Sequence, residues 1–194
     1  MAKTLSSKLG QLTRKSSSRT VEGLIDSFAD KSFAILCLVL MAIPALPLPT
    51  GGISHLFELI TLLIAFQMII GRQSIWLPQS LMKRSLPDKF RSATIPALAK
   101  FIKKVEGKAR PRLSPLTINP LFIRLMGGLI FILALFAFLA PPFSGLDTLP
   151  SMGVVLIALA LIFEDIIFAI LGAIVGAFGV GTILLLGNLA FRLI

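Results

Sequence analysis

The chain has 194 residues, 56% of them hydrophobic and only 14% charged, with a mean hydropathy of +0.93. A soluble domain carries about a quarter charged residues, so this composition argues against an ordinary water-soluble enzyme and for an all-α integral membrane protein. A single cysteine, Cys37, excludes a disulfide framework within the chain, and a single histidine, His55, excludes a His-rich metal centre.

The net charge of +10 is confined to two blocks. Residues 1–31 hold six Lys/Arg against three acids, and residues 72–120 hold eleven against two. The remainder holds Arg124 and Arg192 against Glu58, Asp147, Glu164 and Asp165. Lys and Arg gather in cytoplasmic loops beside membrane spans, which places the N-terminus and the central block in the cytoplasm. Nucleic-acid binding would want aromatic or Arg-rich interleaving on a soluble module, so no nucleic-acid partner is expected.

Residues 1–20 are rich in Ser, Lys and Arg and lack any acid, a composition that stays disordered. They faintly resemble a transit peptide, but no small-residue cleavage site follows. Val21, Leu24, Ile25 and Phe28 then recur at helical spacing and predict an interfacial amphipathic helix. A first apolar run, Ser32 to Leu48, is cut by Pro44, Pro47 and Pro49, and a second runs from Ile53 to Gly71 with Glu58 as its only charge. The two form a hairpin whose tip includes Pro44, Pro47, Pro49, Gly51 and Gly52.

Residues 72–120 form a basic insert. Within it Ile95, Leu98, Phe101, Ile102 and Val105 make an apolar stripe, with Lys100, Lys103, Lys104 and Lys108 on the polar side. Such a helix lies on an anionic membrane surface or packs against its own protein. The third run, Leu121 to Ala140, has the length of a span, carries Arg124 near its cytoplasmic end and stops at Pro141-Pro142. A loop holding Gly145 and Asp147 leads to a fourth run, Leu149 to Phe163, closed by Glu164-Asp165. The fifth run, Ile166 to Phe191, carries Gly172 and Gly176 beside Ala169, Ala173 and Ala177, small-residue faces for close helix contact within the chain or in a homodimer.

A shift of 97 residues superposes the two apolar halves, aligning Pro44 with Pro141, Ser54 with Ser151, Phe66 with Phe163 and Gln67 with Glu164. The chain thus divides into a disordered basic N-terminus (1–20) and one membrane domain (21–194). That domain comprises repeat one (32–71), a basic cytoplasmic insert (72–120), repeat two (121–168) and a C-terminal helix (169–194). About 20 Å of helix separates each loop from the polar residue that follows, short of the ~30 Å hydrocarbon core. Broken helices of this kind are either ordinary pairs of spans with periplasmic tips or re-entrant hairpins that stop at mid-membrane, and the shortness favours re-entrant or strongly shortened helices.

Catalytic chemistry has little to draw on. His55 and Glu58 share a helical face at i, i+3, a spacing more in keeping with a local hydrogen bond than with a metal site. Ser54 lies in no nucleophile elbow, and neither a P-loop nor a GxGxxG motif occurs, so no cofactor and no metal are expected. Intramembrane acids mark function by default, which singles out Glu58, Glu164 and Asp165. With Arg72 and Arg124 they would line any polar cavity between the hairpins, where Glu58 can be protonated or paired with Arg124. The pair Glu164-Asp165 reads equally as a water-exposed helix boundary.

The stretch Gln67-Met68-Ile69-Ile70-Gly71-Arg72, followed by Trp76-Leu77-Pro78, resembles the signature of the exopolysaccharide-synthesis family ExoD. So do Pro44-x-x-Pro47-x-Pro49 with Gly51, Arg110-Pro111-Arg112, and the Glu164-Asp165 pair, where a Gly often follows in the family and Ile166 stands here. The resemblance runs from about residue 20 to 185. It implies a multi-pass protein of the bacterial inner (plasma) membrane that supports exopolysaccharide synthesis, and it supplies no reaction, catalytic residue or cofactor. The expected function is non-enzymatic: a carrier or flippase of a lipid-linked phosphate such as a polyprenyl phosphate, held at the hairpin tips and by Arg72 and Arg124. The alternative is a scaffold that sits on anionic lipid and recruits polysaccharide-synthesis proteins through the basic insert.

Overall fold

Among the residues described by the computed structural model (31–46, 52–72, 74–76, 78, 95–106, 112, 119–141 and 144–192), every regular element is an α-helix. In chain order these are α1 (Ser32–Met41), α2 (Gly52–Ile70), α3 (Ile95–Glu106), α4 (Pro120–Leu139), α5 (Thr148–Phe163) and α6 (Ile166–Arg192). The N-terminus predicted to be disordered, the amphipathic stretch Val21–Phe28 and the tip residues Pro47, Pro49, Gly51 and Pro142 lie outside the described residues.

The helix boundaries have local causes. Asn119 accepts a hydrogen bond from the Leu121 N–H at 2.9 Å, and Pro120 occupies the first turn of α4, where a missing donor costs nothing. The first apolar run is shorter as a helix than its hydrophobicity suggests. It ends at Met41 because Pro44 has no N–H to offer the Leu40 carbonyl, and the chain leaves through turns closed by Ala45 N–H to Met41 O and Leu46 N–H to Ile43 O, both 3.0 Å. At ten residues, α1 is only about 15 Å long, roughly half a bilayer core. At the end of α5, Glu164 adopts a left-handed backbone (φ 57°), which breaks the helix before α6 starts at Ile166.

α1 is the centre of the bundle, and from Leu36 to Met41 its side chains are almost wholly inaccessible. It packs between α2 and α5, while α4 packs against α2 and α5, and α6 lies along α5 and touches α4. The start of α1 meets the end of α5 through Lys31 and Glu164, and the end of α2 meets the start of α4 through Gly71 and Arg124. Both hairpins therefore point the same way, with their tips at one end of the bundle. Two crossings are set by glycine. A Cβ at Gly127 would lie 2.7 Å from Met68 Cβ, and one at Gly153 would lie 2.8 Å from Gly176 Cα, so α2–α4 and α5–α6 approach at backbone distance.

α4 and α6 are long and apolar enough to cross a membrane, and less than a third of either hydrophobic window is buried. Leu121, Leu125 and Leu139 on α4, and Ile174, Phe178, Leu184 and Leu185 on α6, face outward. A core helix would bury such residues; here they form exposed apolar faces of the kind that meet lipid or a protein partner. α3 resolves its own ambiguity in part. Ile102 and Val105 are buried, Ile102 within the main core, while Lys100, Lys103 and Lys104 are exposed.

Candidate functional site

Polar side chains gather at the two ends of the bundle. The first group sits where α1 and α4 begin and α2 and α5 end. Gly71 takes a left-handed φ of +79°, and the Arg124 guanidinium lies directly over it, so that a Cβ there would be 2.7 Å from Nη2. One turn earlier, Gln67 is buried and holds the returning chain. Its Nε2 donates to the carbonyls of Leu63 (3.0 Å) and Trp76 (2.7 Å), and its Oε1 accepts from the Trp76 N–H at 2.6 Å. Across the bundle Lys31 Nζ donates to the Ile162 carbonyl at 2.7 Å and to Glu164 Oε1 at 2.9 Å. Asp165, 2% exposed, accepts from Arg112 Nη1 at 3.1 Å and from the Ile167 N–H at 3.2 Å.

A cavity of about 300 Å³ opens at this end, lined by Phe33, Ala34, Met68, Ile123 and Leu161, with Lys31 and Glu164 as its polar members. Its walls are apolar and its mouth is charged. Arg124 follows the lining residue Ile123 in the chain, and Gly71, over which its guanidinium lies, is one turn beyond the lining residue Met68.

The second group lies at the tips. His55 Nδ1 is 3.0 Å from Glu58 Oε2, without the alignment of a hydrogen bond, and the imidazole stacks at a tilt on Phe138, their ring centroids 5.6 Å apart. Glu58 is fully buried, and neither of its carboxylate oxygens has a hydrogen-bond partner among the described residues; the same is true of Ser151 Oγ. Asp147, at the start of α5, lies within electrostatic reach of both His55 and Glu58. Burial raises the Asp147 carboxyl above its ordinary value, opposed by backbone N–H groups and by His55. Among the described residues no set of three His, Cys, Asp or Glu side chains is placed to hold a metal.

The residues singled out from sequence are thus divided. Arg124, Glu164 and Asp165 belong to the basic end, with Arg72 exposed there and its N–H bonded to the Gln67 carbonyl at 3.0 Å. Glu58 belongs to the tip end and faces His55, so it does not pair with Arg124 and the five residues do not line one cavity. Pro44 sits in the turns after α1, Pro141 and Gly145 (φ +70°) in the exposed second tip, and Gly52 opens α2. Glu164-Asp165 is a helix boundary, and both acids also hold cations. Lys31, Gln67, Asp147 and Ser151 went unselected. The shift of 97 residues offered a signal for two of them, because it pairs Ser151 with Ser54 and Gln67 with Glu164.

Comparison with known proteins agrees in extent with the sequence signature. The model of one protein family, described as exopolysaccharide synthesis, ExoD, matches residues 5–185. An uncharacterised protein of Synechocystis sp. is 29% identical over 136 residues, which cover 70% of this chain and 63% of that protein. Protein ExoD of Rhizobium meliloti is 28% identical over 149 residues, covering 75% of this chain and 61% of that protein. The matches cover less than two thirds of either relative's length. No solved structure matches the chain.

Proposed function

Because the chain belongs to the exopolysaccharide-synthesis family ExoD, we propose that it is a multi-pass protein of the bacterial inner membrane that carries a lipid-linked phosphate intermediate, such as a polyprenyl phosphate. One observation carries this reading: an apolar cavity of about 300 Å³ whose charged lining residues are Lys31 and its ion-pair partner Glu164, with Arg124 following the lining residue Ile123 in the chain. An apolar chain suits the cavity walls, and a phosphate suits the Arg124 guanidinium together with Lys31 once it exchanges Glu164 for the phosphate. The exposed apolar faces of α4 and α6 supply the lipid-facing surface. The basic insert favours a cytoplasmic position for this end.

The packing order also favours a duplicated hairpin. α1 pairs with α5 and α2 with α4, as two copies related by a two-fold axis along the bundle would do. In this reading the short α1 and its turn form a hairpin that ends within the bilayer. The proposal assigns the chain no reaction.

Liposomes containing the full-length protein and a fluorescent polyprenyl phosphate test the carrier. Arg124→Glu is expected to weaken lipid binding at least about tenfold, while Arg124→Lys retains most of it. Equal binding by wild type and Arg124→Glu would sink the reading. A scaffold is the second reading, favoured by the exposed Lys100, Lys103 and Lys104 on α3. It predicts that Gln at these three positions abolishes co-purification with polysaccharide-synthesis proteins and leaves lipid binding intact.

A further inference from the structure

The tip end holds a polar group for which the carrier reading has no use. Glu58 is fully buried in an apolar bundle, and both its oxygens lack a hydrogen-bond donor among the described residues. Ser151 Oγ likewise lacks a partner, so two orphaned oxygen-bearing side chains belong to the first two turns of α2, which also carries His55, and of α5, which Asp147 caps. The surroundings offer little compensation. α4 sets the Phe138 ring against His55, the residues of α1 from Leu38 to Met41 are all apolar, and α6 has no charged residue before Arg192. The titratable groups facing Glu58 are His55 on its own helix, at 3.0 Å, and Asp147 from the start of α5.

A carboxylate in such a place is not kept ionised unless a cation is supplied at close range. His55 supplies one only when it is itself protonated, and Asp147 adds a charge of the wrong sign. No described set of side chains suits a metal ion. The cation that fits is the proton.

We propose that Glu58 is a proton-binding site, flanked by His55 and Asp147, at the tip end of the bundle. It stands thirteen residues of α2 away from Gly71, about 20 Å from the cationic end. A proton added at Glu58 removes its charge, and a proton lost leaves a carboxylate that only an imidazolium at His55 can neutralise. Occupancy of the site therefore switches the charge of the whole cluster. Proton binding here does not depend on whether the chain moves a lipid, and it is tested without any lipid substrate.

Infrared difference spectra of the full-length protein in detergent, stepped from about pH 5 to about pH 9, read the site directly. A protonated-carboxyl band that disappears as pH rises and is missing from Glu58→Gln is the expected result. Asp147→Asn removes a like charge and is expected to move the midpoint to lower pH by about one unit. A band that persists in Glu58→Gln, or no pH-dependent carboxyl band at all, overturns the proposal. Should Glu58→Gln fail to fold, mass-spectrometric mapping of dicyclohexylcarbodiimide on the wild-type protein decides, since that reagent attacks protonated carboxyls in apolar surroundings. Labelling of Glu58 that falls as pH rises upholds the site, and no labelling at any pH refutes it.

Discussion

Gly172→Val is expected to separate α5 from α6 and to lower the melting temperature of the detergent-solubilised protein by more than any surface change. A Cβ at residue 172 would lie 2.8 Å from the Gly153 carbonyl oxygen and 3.0 Å from the Ile157 nitrogen. Those are backbone atoms, which cannot rotate away as a side chain can. Even alanine should cost about 1–3 kcal/mol by overpacking, and valine more. At 2 kcal/mol the shift in melting temperature would be on the order of 5 °C for a chain of this size. Gly181→Ala provides the contrast. Nothing lies within 4 Å of its added Cβ, so the better helix propensity of alanine should leave stability unchanged or raise it by up to about 1 kcal/mol. Equal melting temperatures for Gly172→Val and wild type would show that the α5–α6 crossing is not the close contact described.

Gln67→Leu should have the next largest effect, and it has a built-in reporter. The Gln67 amide satisfies both backbone groups of Trp76 from a position only 5% exposed. Leucine keeps the volume but leaves those two Trp76 groups without their partner, while the Leu63 carbonyl keeps its helical bond. The loss should be about 2–3 kcal/mol, with the exit from α2 coming loose. Trp76 is the only tryptophan in the chain, so its steady-state anisotropy measures the loop directly. Anisotropy is expected to fall in Gln67→Leu and in Gln67→Glu, where a second oxygen would face the Trp76 carbonyl. Unchanged anisotropy in both variants would mean that other contacts hold the loop.

Much of the fold was legible in the sequence because its signals are local. The ends of α2, α4, α5 and α6 fall within one residue of the apolar runs, since charge, proline and glycine mark them. In the first run hydrophobicity continues to Leu48, and it is the prolines that mark the break: the helical hydrogen-bond ladder cannot pass Pro44. The site was legible as residue types and not as partnerships. Glu58 and Arg124 are kept apart by the packing, because Glu58 lies in the second turn of α2 at the tip end while Arg124 lies over Gly71 at the opposite end of that helix. Hydrophobic periodicity likewise identified α3 but could not say what covers its apolar face, and Ile102 reaches the protein core. Lys31 was hidden for another reason: its partners, Ile162 and Glu164, lie more than 130 residues away.

Cys37 lies in the middle of α1, on the most enclosed helix of the bundle, and its side chain has no accessible surface. A thiol reacts as the thiolate and only where a reagent can reach it, so the native cysteine is silent to polar maleimides as long as the bundle is folded. The chain therefore behaves as its own cysteine-free background. A cysteine introduced at exposed Gly145 would be the sole reactive thiol in the intact protein, and loss of that exclusivity would itself report unfolding.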